Sequence, residues 1–403
     1  MTKPTPVPKI ELAGNARERG RRYGAAAGRQ ISVSVSCYGE MFAVCGMNWQ
    51  QVAERARPFE AVIERAFPAA LEEINGIAEG SGVPFSTLLA LNARTELLPP
   101  DYQARAAAAA GSAPPLSGAL NECTSFAVAP AAAPGQGPGA GDGVWLAQNW
   151  DWLGGQRAAL VLLDVSPGEG PRYLTVTEAG ILAKIGCNQH GLGVTLNILR
   201  SFDDGRQPGL PVHILLRALL SCRSVAQALA YARAQPRYTS SSNVLMADAG
   251  GAIASLECSP RGVRELRPVA GRLWHTNHFI DPEQAGFDAN LAGNTSTIAR
   301  FAAATELLGA DPGPMNLAAA KRVLSDERAG FDSICRFPDA AVPRAARVET
   351  VASVIMNLTE RELWLSPAQP SLGGFAQHSL GSGSGAALGT APAQEGSAGD
   401  ERA

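Results

Sequence analysis

Cys123 is the side chain in this 403-residue chain whose type and setting most suggest chemistry. It lies in Asn121-Glu122-Cys123-Thr124-Ser125-Phe126. Residues 104–120, ahead of it, are rich in Ala, Gly, Pro and Ser. Strand-like sequence follows it, first Phe126-Ala-Val-Ala and then Val144-Trp-Leu-Ala-Gln-Asn-Trp-Asp. A thiol where a loose segment becomes a strand suits a nucleophile that becomes a new chain N-terminus. Thiols are strong nucleophiles, and an α-amine freed beside one can act as its base. The alternative is a buried, inert cysteine, the commoner fate of the residue.

The elements around this point alternate between helical and β blocks. Residues 9–13 read as a short strand, and residues 14–24 turn into a helix running toward Cys45. Between residues 50 and 80, Val62, Ile63, Phe67, Leu71, Ile74 and Ile77 recur at steps that predict a helix. Glu72 and Glu73 should face outward, with Gly80 and Gly82 as the stop. Residues 86–96 read as a further helix. Residues 99–122 have no periodicity and read as a loop. Strands are expected at 125–130, 144–149, 159–165, 172–177 and 192–198, with a Gly/Pro/Ala-rich insert at 130–143. Helices follow at 211–220 and 224–234, and strands return at 243–249, 252–258, 262–267 and 272–276. Helices at 297–308 and 316–324 precede a closing hairpin at 350–358 and 361–366. From residue 373 onward small residues dominate, and a disordered tail is expected. Antiparallel sheets with helices on their outer faces satisfy this α+β order.

Bulk composition excludes several classes. A hydrophobic content of 46% supports a large core, and the net charge of −3 offers no basic field for nucleic acid. Seven irregularly spaced cysteines do not form a disulfide framework. The N-terminus lacks the apolar core of a secretory signal, and no apolar run approaches the length of a membrane span. A cytoplasmic protein is expected. The five histidines complete no metal site with neighbouring Cys, Asp or Glu, and Gly191-Leu-Gly lacks the strand–loop–helix context of a phosphate loop.

A set of ordered motifs resembles one known family. These are Ala70-Leu-Glu-Glu-Ile-Asn-Gly-Ile-Ala-Glu-Gly, Leu91-Asn-Ala-Arg-Thr-Glu, Cys123-Thr-Ser, Gln148-Asn-Trp-Asp-Trp, Thr177-Glu-Ala-Gly-Ile, Gly191-Leu-Gly-Val-Thr-Leu-Asn, Gly209-Leu-Pro-Val-His, His275-Thr-Asn-His and Ser333-Ile-Cys-Arg. From about residue 9 to 370 the chain resembles the isopenicillin N acyltransferase family, peptidase family C45, among the N-terminal nucleophile hydrolases. Bile salt hydrolase and acid ceramidase resemble it more distantly. The resemblance implies a four-layer αββα sandwich and a precursor that cuts itself between Glu122 and Cys123. Residues 1–122 would form an α chain and residues 123–403 a β chain, with the catalytic core at 123–372, and the two would stay associated.

The resemblance also implies roles. Cys123 attacks the carbonyl of Glu122 during processing, and Ser125 matches a hydroxyl implicated in that step; the alternative for Ser125 is a plain strand serine. Asp151 matches the acidic residue that holds the α-ammonium, or else caps a turn. Asn197 and Asn277 match amides near the nucleophile that could steady an oxyanion. Gln148 stands where bile salt hydrolases place Arg, and Asn149 supports the same turn. Arg300 and Arg336 either bind a carboxylate or brace the nucleophile. The implied activity is acyl transfer to an amine or to water through a thioester on Cys123. Its partners are small-molecule acyl donors and acceptors, acyl-CoA among them as a substrate, and no cofactor is implied. One departure stands out: Glu122 replaces the glycine that precedes the nucleophile in the family's best-known member, and a larger residue narrows the conformations open to that bond. A non-catalytic, uncleaved scaffold of the same fold is the rival reading.

Overall fold

A computed structural model describes residues 6–99, 101–109, 122–130, 143–291, 296–309 and 313–381. Its strands are β1 (Lys9–Gly14), β2 (Glu122–Val128), β3 (Trp145–Leu153), β4 (Leu160–Pro167), β5 (Tyr173–Glu178), β6 (Ile185–Asn188), β7 (Gly193–Val194), β8 (Asn197–Ile198), β9 (Ser242–Ala247), β10 (Ile253–Ser259), β11 (Gly262–Leu266), β12 (Arg272–His275), β13 (Val348–Asn357), β14 (Glu362–Ser366) and β15 (Ala376–Ser379). Its helices are α1 (Ala16–Ala26), α2 (Gly28–Val44), α3 (Trp49–Ala66), α4 (Pro68–Ser81), α5 (Phe85–Asn92), α6 (Arg94–Leu97), α7 (Tyr102–Ala109), α8 (Val212–Leu219), α9 (Val225–Arg233), α10 (Pro282–Ala285), α11 (Ser296–Gly309) and α12 (Leu317–Leu324).

Two sheets form. The larger runs β1-β4-β5-β6-β7-β9-β10-β11 with β8 paired to β9, and the smaller runs β12-β2-β3-β13-β14-β15. Only the β1–β4 pairing is parallel among the described strands. Side chains alternate across a strand, so β3 is split between two cores. Leu146, Trp150 and Trp152 join the core that includes Leu192, Val194 and Leu196 of the larger sheet. Trp145 and Ala147 point the other way, into a second core with Ala304 and Leu308 of α11 and Ala320, Val323 and Leu324 of α12. α1, α2 and α9 lie against the larger sheet. The result is helix, sheet, sheet, helix: the αββα sandwich. The sheets approach closely at Gly193, where a Cβ would stand 2.7 Å from Leu358 and 2.8 Å from Leu146 side-chain atoms.

Several expectations change. The helix over 50–80 is two helices, because Pro68 opens α4 and the residue before a proline avoids helical backbone. Glu73 faces inward, pairing with buried Arg19 at 2.8 Å; the outward charge is Glu72, paired with Arg17 at 3.2 Å. The 99–122 segment contains α7, and residues 110–121 lie outside the described residues. So do residues 131–142 of the expected insert. The tail does not begin at 373, since β15 pairs with β14; residues 382–403 lie outside the described residues. The 192–198 strand is two short ones, and β6 is an additional strand that no sequence pattern marked. The 122/123 boundary falls inside β2, where Glu122 is in register with Asp151 and Cys123 with Trp150.

α1 and α4 cross on glycines. A Cβ on Gly20 would collide with the Glu73 carbonyl, and one on Gly76 with the Arg17 carbonyl. Gly20→Ala should therefore destabilise the fold by about 1–3 kcal/mol through overpacking. Gly28→Ala, at the open start of α2, should be neutral or stabilising by up to about 1 kcal/mol. Denaturant unfolding of the two variants checks this. Equal losses would contradict the close helix crossing.

Candidate active site

The site forms where an edge of the smaller sheet runs out of strand. β12 pairs with β2 from Arg272↔Val128 to His275↔Ser125 and then departs. Cys123, two residues back along β2, keeps β3 on one side and has no strand partner on the other among the described residues. Its backbone groups on that side are met by side chains instead. The Cys123 N–H donates to Asn277 Oδ1 at 2.7 Å. Its carbonyl accepts from Asn197 Nδ2 at 3.0 Å and from Arg300 Nη1 at 2.8 Å. Arg300 also donates to Thr124 Oγ1 and, through Nη2, to Asn277 Oδ1 at 3.1 Å. All of these groups are buried, where a lost hydrogen bond costs more than at a surface.

Each of these side chains is itself held. Asn197 Oδ1 accepts from Ser125 Oγ at 2.6 Å and Asn243 Nδ2 at 3.2 Å, which fixes its amide orientation, and Nδ2 also reaches the His275 carbonyl at 3.2 Å. Gln148 clamps Leu196, donating to its carbonyl and accepting from its N–H at 3.0 Å. It thereby bridges the break between β7 and β8 and sets the residue beside Asn197. Asn277 Nδ2 donates to the Ile198 carbonyl at 2.9 Å, and its backbone N–H donates to Thr297 Oγ1 at 2.8 Å. Arg300 Nε donates to Ser296 Oγ, which also receives Arg336 Nη2 at 2.9 Å.

The sequence-derived residues thus separate into groups. Cys123, Asn197, Asn277 and Arg300 come together directly, with Ser125 and Gln148 supporting Asn197. Arg336 is one step removed, joined to Arg300 through Ser296 and to the Phe331 carbonyl at 2.6 Å. Asn149 faces the outer helices, donating to the Leu324 and Ile334 carbonyls at 2.8 and 2.9 Å. Nδ2 of Asn197 donates to two backbone carbonyls, and Nδ2 of Asn277 to another.

Electrostatics set the protonation state of Cys123. Burial pushes the Cys123 thiol up to about 11, and the Asp151 carboxylate adds to that; Lys184, the Asp151 backbone N–H and Arg300 oppose it. Burial also lifts Asp151 to about 7 against the pull of Arg300 and of the Thr350 hydroxyl, which donates to Oδ1 at 2.6 Å. The other Asp151 oxygen, Oδ2, has no hydrogen-bond partner among the described residues.

Sequence reasoning missed Thr124, Thr297, Asn243, Thr350 and above all Lys184. Lys184 was visible as a lone cation in an apolar run, Ile181-Leu-Ala-Lys-Ile. The described residues hold no cluster of three or more His, Cys, Asp or Glu able to bind a metal. None of their helices is long and apolar enough to cross a membrane.

Known proteins resemble this chain in sequence and in fold. The family profile described as acyl-coenzyme A:6-aminopenicillanic acid acyl-transferase matches residues 139–372. The chain is 28% identical over 273 residues to the acyl-coenzyme A:6-aminopenicillanic-acid-acyltransferase 40 kDa form of Emericella nidulans, covering 67% of this chain and 69% of that one. Penicillin V acylase from Agrobacterium tumefaciens superposes at a TM-score of 0.41 with 16% identity, over 61% of this chain and 83% of its own. A mutant conjugated bile acid hydrolase from Clostridium perfringens superposes at 0.43 with 12% identity, over 64% and 92%. These superpositions are loose, and the sandwich is established by the packing of the chain's own two sheets.

A buried carboxyl raised from 3.8 to about 7 holds a proton in the folded state that the unfolded state has released. Stability therefore falls as pH rises from about 4 to 7. Asp151→Asn, made in a Cys123→Ala background, should raise the melting temperature relative to its parent at pH 8. The gain should shrink toward pH 5, on the order of a few kcal/mol overall. Thermal unfolding at both values tests it, and a gain that does not depend on pH would contradict the burial effect.

Proposed function

Because the chain belongs to the acyl-coenzyme A:6-aminopenicillanic acid acyl-transferase family, we propose that it moves acyl groups through the Cys123 thiol and that cutting Glu122–Cys123 makes the active form. In the cutting step the Cys123 sulfur attacks the Glu122 carbonyl carbon. The C–N bond breaks as the nitrogen takes up a proton, leaving a thioester between Glu122 and the sulfur. Water hydrolyses that thioester, giving a Glu122 carboxylate and a Cys123 that carries both its thiol and a free α-amine.

The mature residue then works as its own acid–base pair. An α-amine titrates near 8, close to an unperturbed thiol, so the proton passes from sulfur to nitrogen at little cost near neutral pH. The thiolate adds to the acyl carbonyl and expels the leaving group, giving an acyl thioester. An amine or water then takes the acyl group and restores the thiol. Asn277 Oδ1, already the acceptor for the Cys123 nitrogen, orients the amine. Asp151 Oδ2, which lacks a hydrogen-bond partner among the described residues, takes the charge of the α-ammonium. Asn197 and Arg300 hold the Cys123 carbonyl, so the residue cannot rotate away as it reacts. Whether transfer or hydrolysis dominates depends on which acceptor reaches the thioester.

The observation that carries this reading is the convergence of Asn277, Asn197 and Arg300 on the N–H and C=O of one cysteine. An inert strand cysteine would need only ladder bonds. The two fragments would stay together, since β1 of the first pairs with β4 of the second and Tyr38 and Arg94 of the first bond Glu178 of the second.

The test is mass spectrometry after incubation with a panel of acyl-coenzyme A thioesters and acyl amides, with and without an acceptor amine. A fragment beginning at Cys123 that carries the acyl mass is the expected result. Cys123→Ala should remain a single uncut chain, and Asn277→Ala should cut and acylate at least about tenfold more slowly, from the loss of one buried hydrogen bond. A wild-type chain that stays whole and takes up no acyl group from any donor would overturn the proposal.

A further inference from the structure

At the end of β5 in the larger sheet, reaching Trp150 of the smaller one, lies a buried charged cluster that no step above uses. Glu178, fully buried at the end of β5, accepts from Tyr38 Oη at 2.8 Å and Arg94 Nη2 at 3.0 Å, both on the same oxygen, Oε1. Its other oxygen, Oε2, faces Lys184 Nζ at 3.6 Å, beyond hydrogen-bonding distance, and has no hydrogen-bond partner among the described residues. Lys184 Nζ instead stands 3.3 Å from the centroid of the Trp150 ring. Trp150 is the residue directly opposite Cys123 on β3.

Charge is unbalanced here. Arg94 and Lys184 bring two cations to one carboxylate, and Arg94 is the one that hydrogen-bonds it. His213, buried next to the cluster, is held neutral by burial and by the cations Arg94 and Lys184, with Glu178 pulling the other way. The Lys184 ammonium therefore shares Glu178 with Arg94, through the longer of the two ion pairs (3.6 against 3.0 Å), and a buried cation is stable only when paired. The segment that carries it is rigid. Tyr23 Oη accepts from the Gly180 N–H at 3.0 Å and donates to the Ile181 carbonyl at 3.2 Å. Asn92 donates to the Gly180 carbonyl at 2.9 Å and accepts from the Leu182 N–H at 3.0 Å. The Lys184 N–H itself donates to Thr175 Oγ1 at 3.1 Å.

The geometry points to Lys184 as a positioning residue whose ammonium, seated on the Trp150 face, is the counter-charge for the anion that forms on the Cys123 sulfur. This rests on the reading of Cys123 as the nucleophile. No bond to Lys184 forms and no proton need leave it; it acts through space. Three charged groups act on the sulfur: Asp151 from β3, Arg300 from α11, and Lys184 from the segment before β6. Asp151 disfavours the thiolate, and the two cations favour it. Facing Lys184 in turn are Glu178, Arg94, His213 and Cys123. Burial draws its ammonium down to about 7, against the pull of Glu178 and of the Cys123 sulfur. Near neutral pH the amine thus becomes charged most readily when the sulfur is negative.

The experiment measures the alkylation rate of Cys123 by iodoacetamide against pH, read by mass spectrometry on the peptide containing Cys123. The proteins are the wild type, Lys184→Met and Lys184→Arg. Met should move the alkylation midpoint up by about one pH unit, a roughly tenfold loss of rate at pH 7. Arg should stay within a few tenths of the wild type. If Lys184→Met does not fold, Lys184→Gln, which removes the charge but keeps a polar head beside Glu178 Oε2, is measured in its place. An unshifted midpoint in the folded Met variant overturns the inference, and so does an Arg variant shifted as far as Met. A wild type that alkylates normally yet never accepts an acyl group would count against the proposed function and leave the comparison of midpoints intact.

Discussion

The architecture of the site follows from one missing strand partner. β12 leaves β2 after His275↔Ser125, and the next residue on the same face of β2 is the cysteine. A buried backbone N–H and C=O must find partners, and here those come from side chains on three other segments rather than from a ladder. Side-chain partners fix direction as well as energy: Asn277 Oδ1 receives both the Cys123 N–H and an Arg300 N–H, so cysteine, amide and guanidinium form one network. Moving any member would strand the others in a buried, low-dielectric site. Ser125 and Gln148 extend the network to Asn197 and its neighbour, which explains why hydrophilic residues occupy the space between the two sheets.

The same burial that makes the network rigid opposes ionisation within it. The thiol, the Asp151 carboxyl and the Lys184 ammonium are all displaced toward their neutral forms, and in each case burial is the largest cause. The three displacements are coupled, because each group's charge is the environment of the next. Asp151 lies on the helix-facing side of β3, whereas Cys123, opposite Trp150, shares the sheet-facing side with Lys184. An uncut chain keeps the sulfur protonated. A free α-amine at the same residue would change that balance locally, with no rearrangement of the sandwich. Under the proposed function, the sulfur would stay quiet until the backbone in front of it opens.

Much of this was legible in the sequence, for reasons that can be located. Runs rich in β-branched and aromatic residues marked most strands, and β3 read as such a run although both of its faces are buried. The ordered motifs pointed to Cys123, Asn197 and Asn277, the resemblance added Arg300, and the fold brings the four into contact. What failed did so where tertiary contacts override local pattern. Glu73 looked exposed because nothing in its own helix shows that Arg19 on α1 crosses that face. β15 was lost in a small-residue tail because its pairing with β14 supplies what its composition does not. Lys184 went unnoticed because its meaning lies in its neighbours: a lone lysine between apolar residues is only informative once Trp150 and Glu178 are seen beside it.

The sequence distances in the site constrain when it can act. The partners of Cys123 lie 74, 154 and 177 residues downstream, and the cluster beyond Trp150 draws on Tyr38 and Arg94 from well upstream. Contacts of such separation form late, after the entropy of closing long loops has been met. The Glu122–Cys123 bond therefore meets its surroundings only when both sheets and both helical layers are in place. Attack by the sulfur on that bond, as proposed above, would depend on the completed fold and not on the local sequence around it. That dependence would also account for a glutamate at position 122. A glycine eases a strained peptide by its own freedom, whereas a larger residue needs the strain to be imposed from outside. Here Asn277, Asn197 and Arg300 hold Cys123, the residue on the far side of the bond, by its backbone.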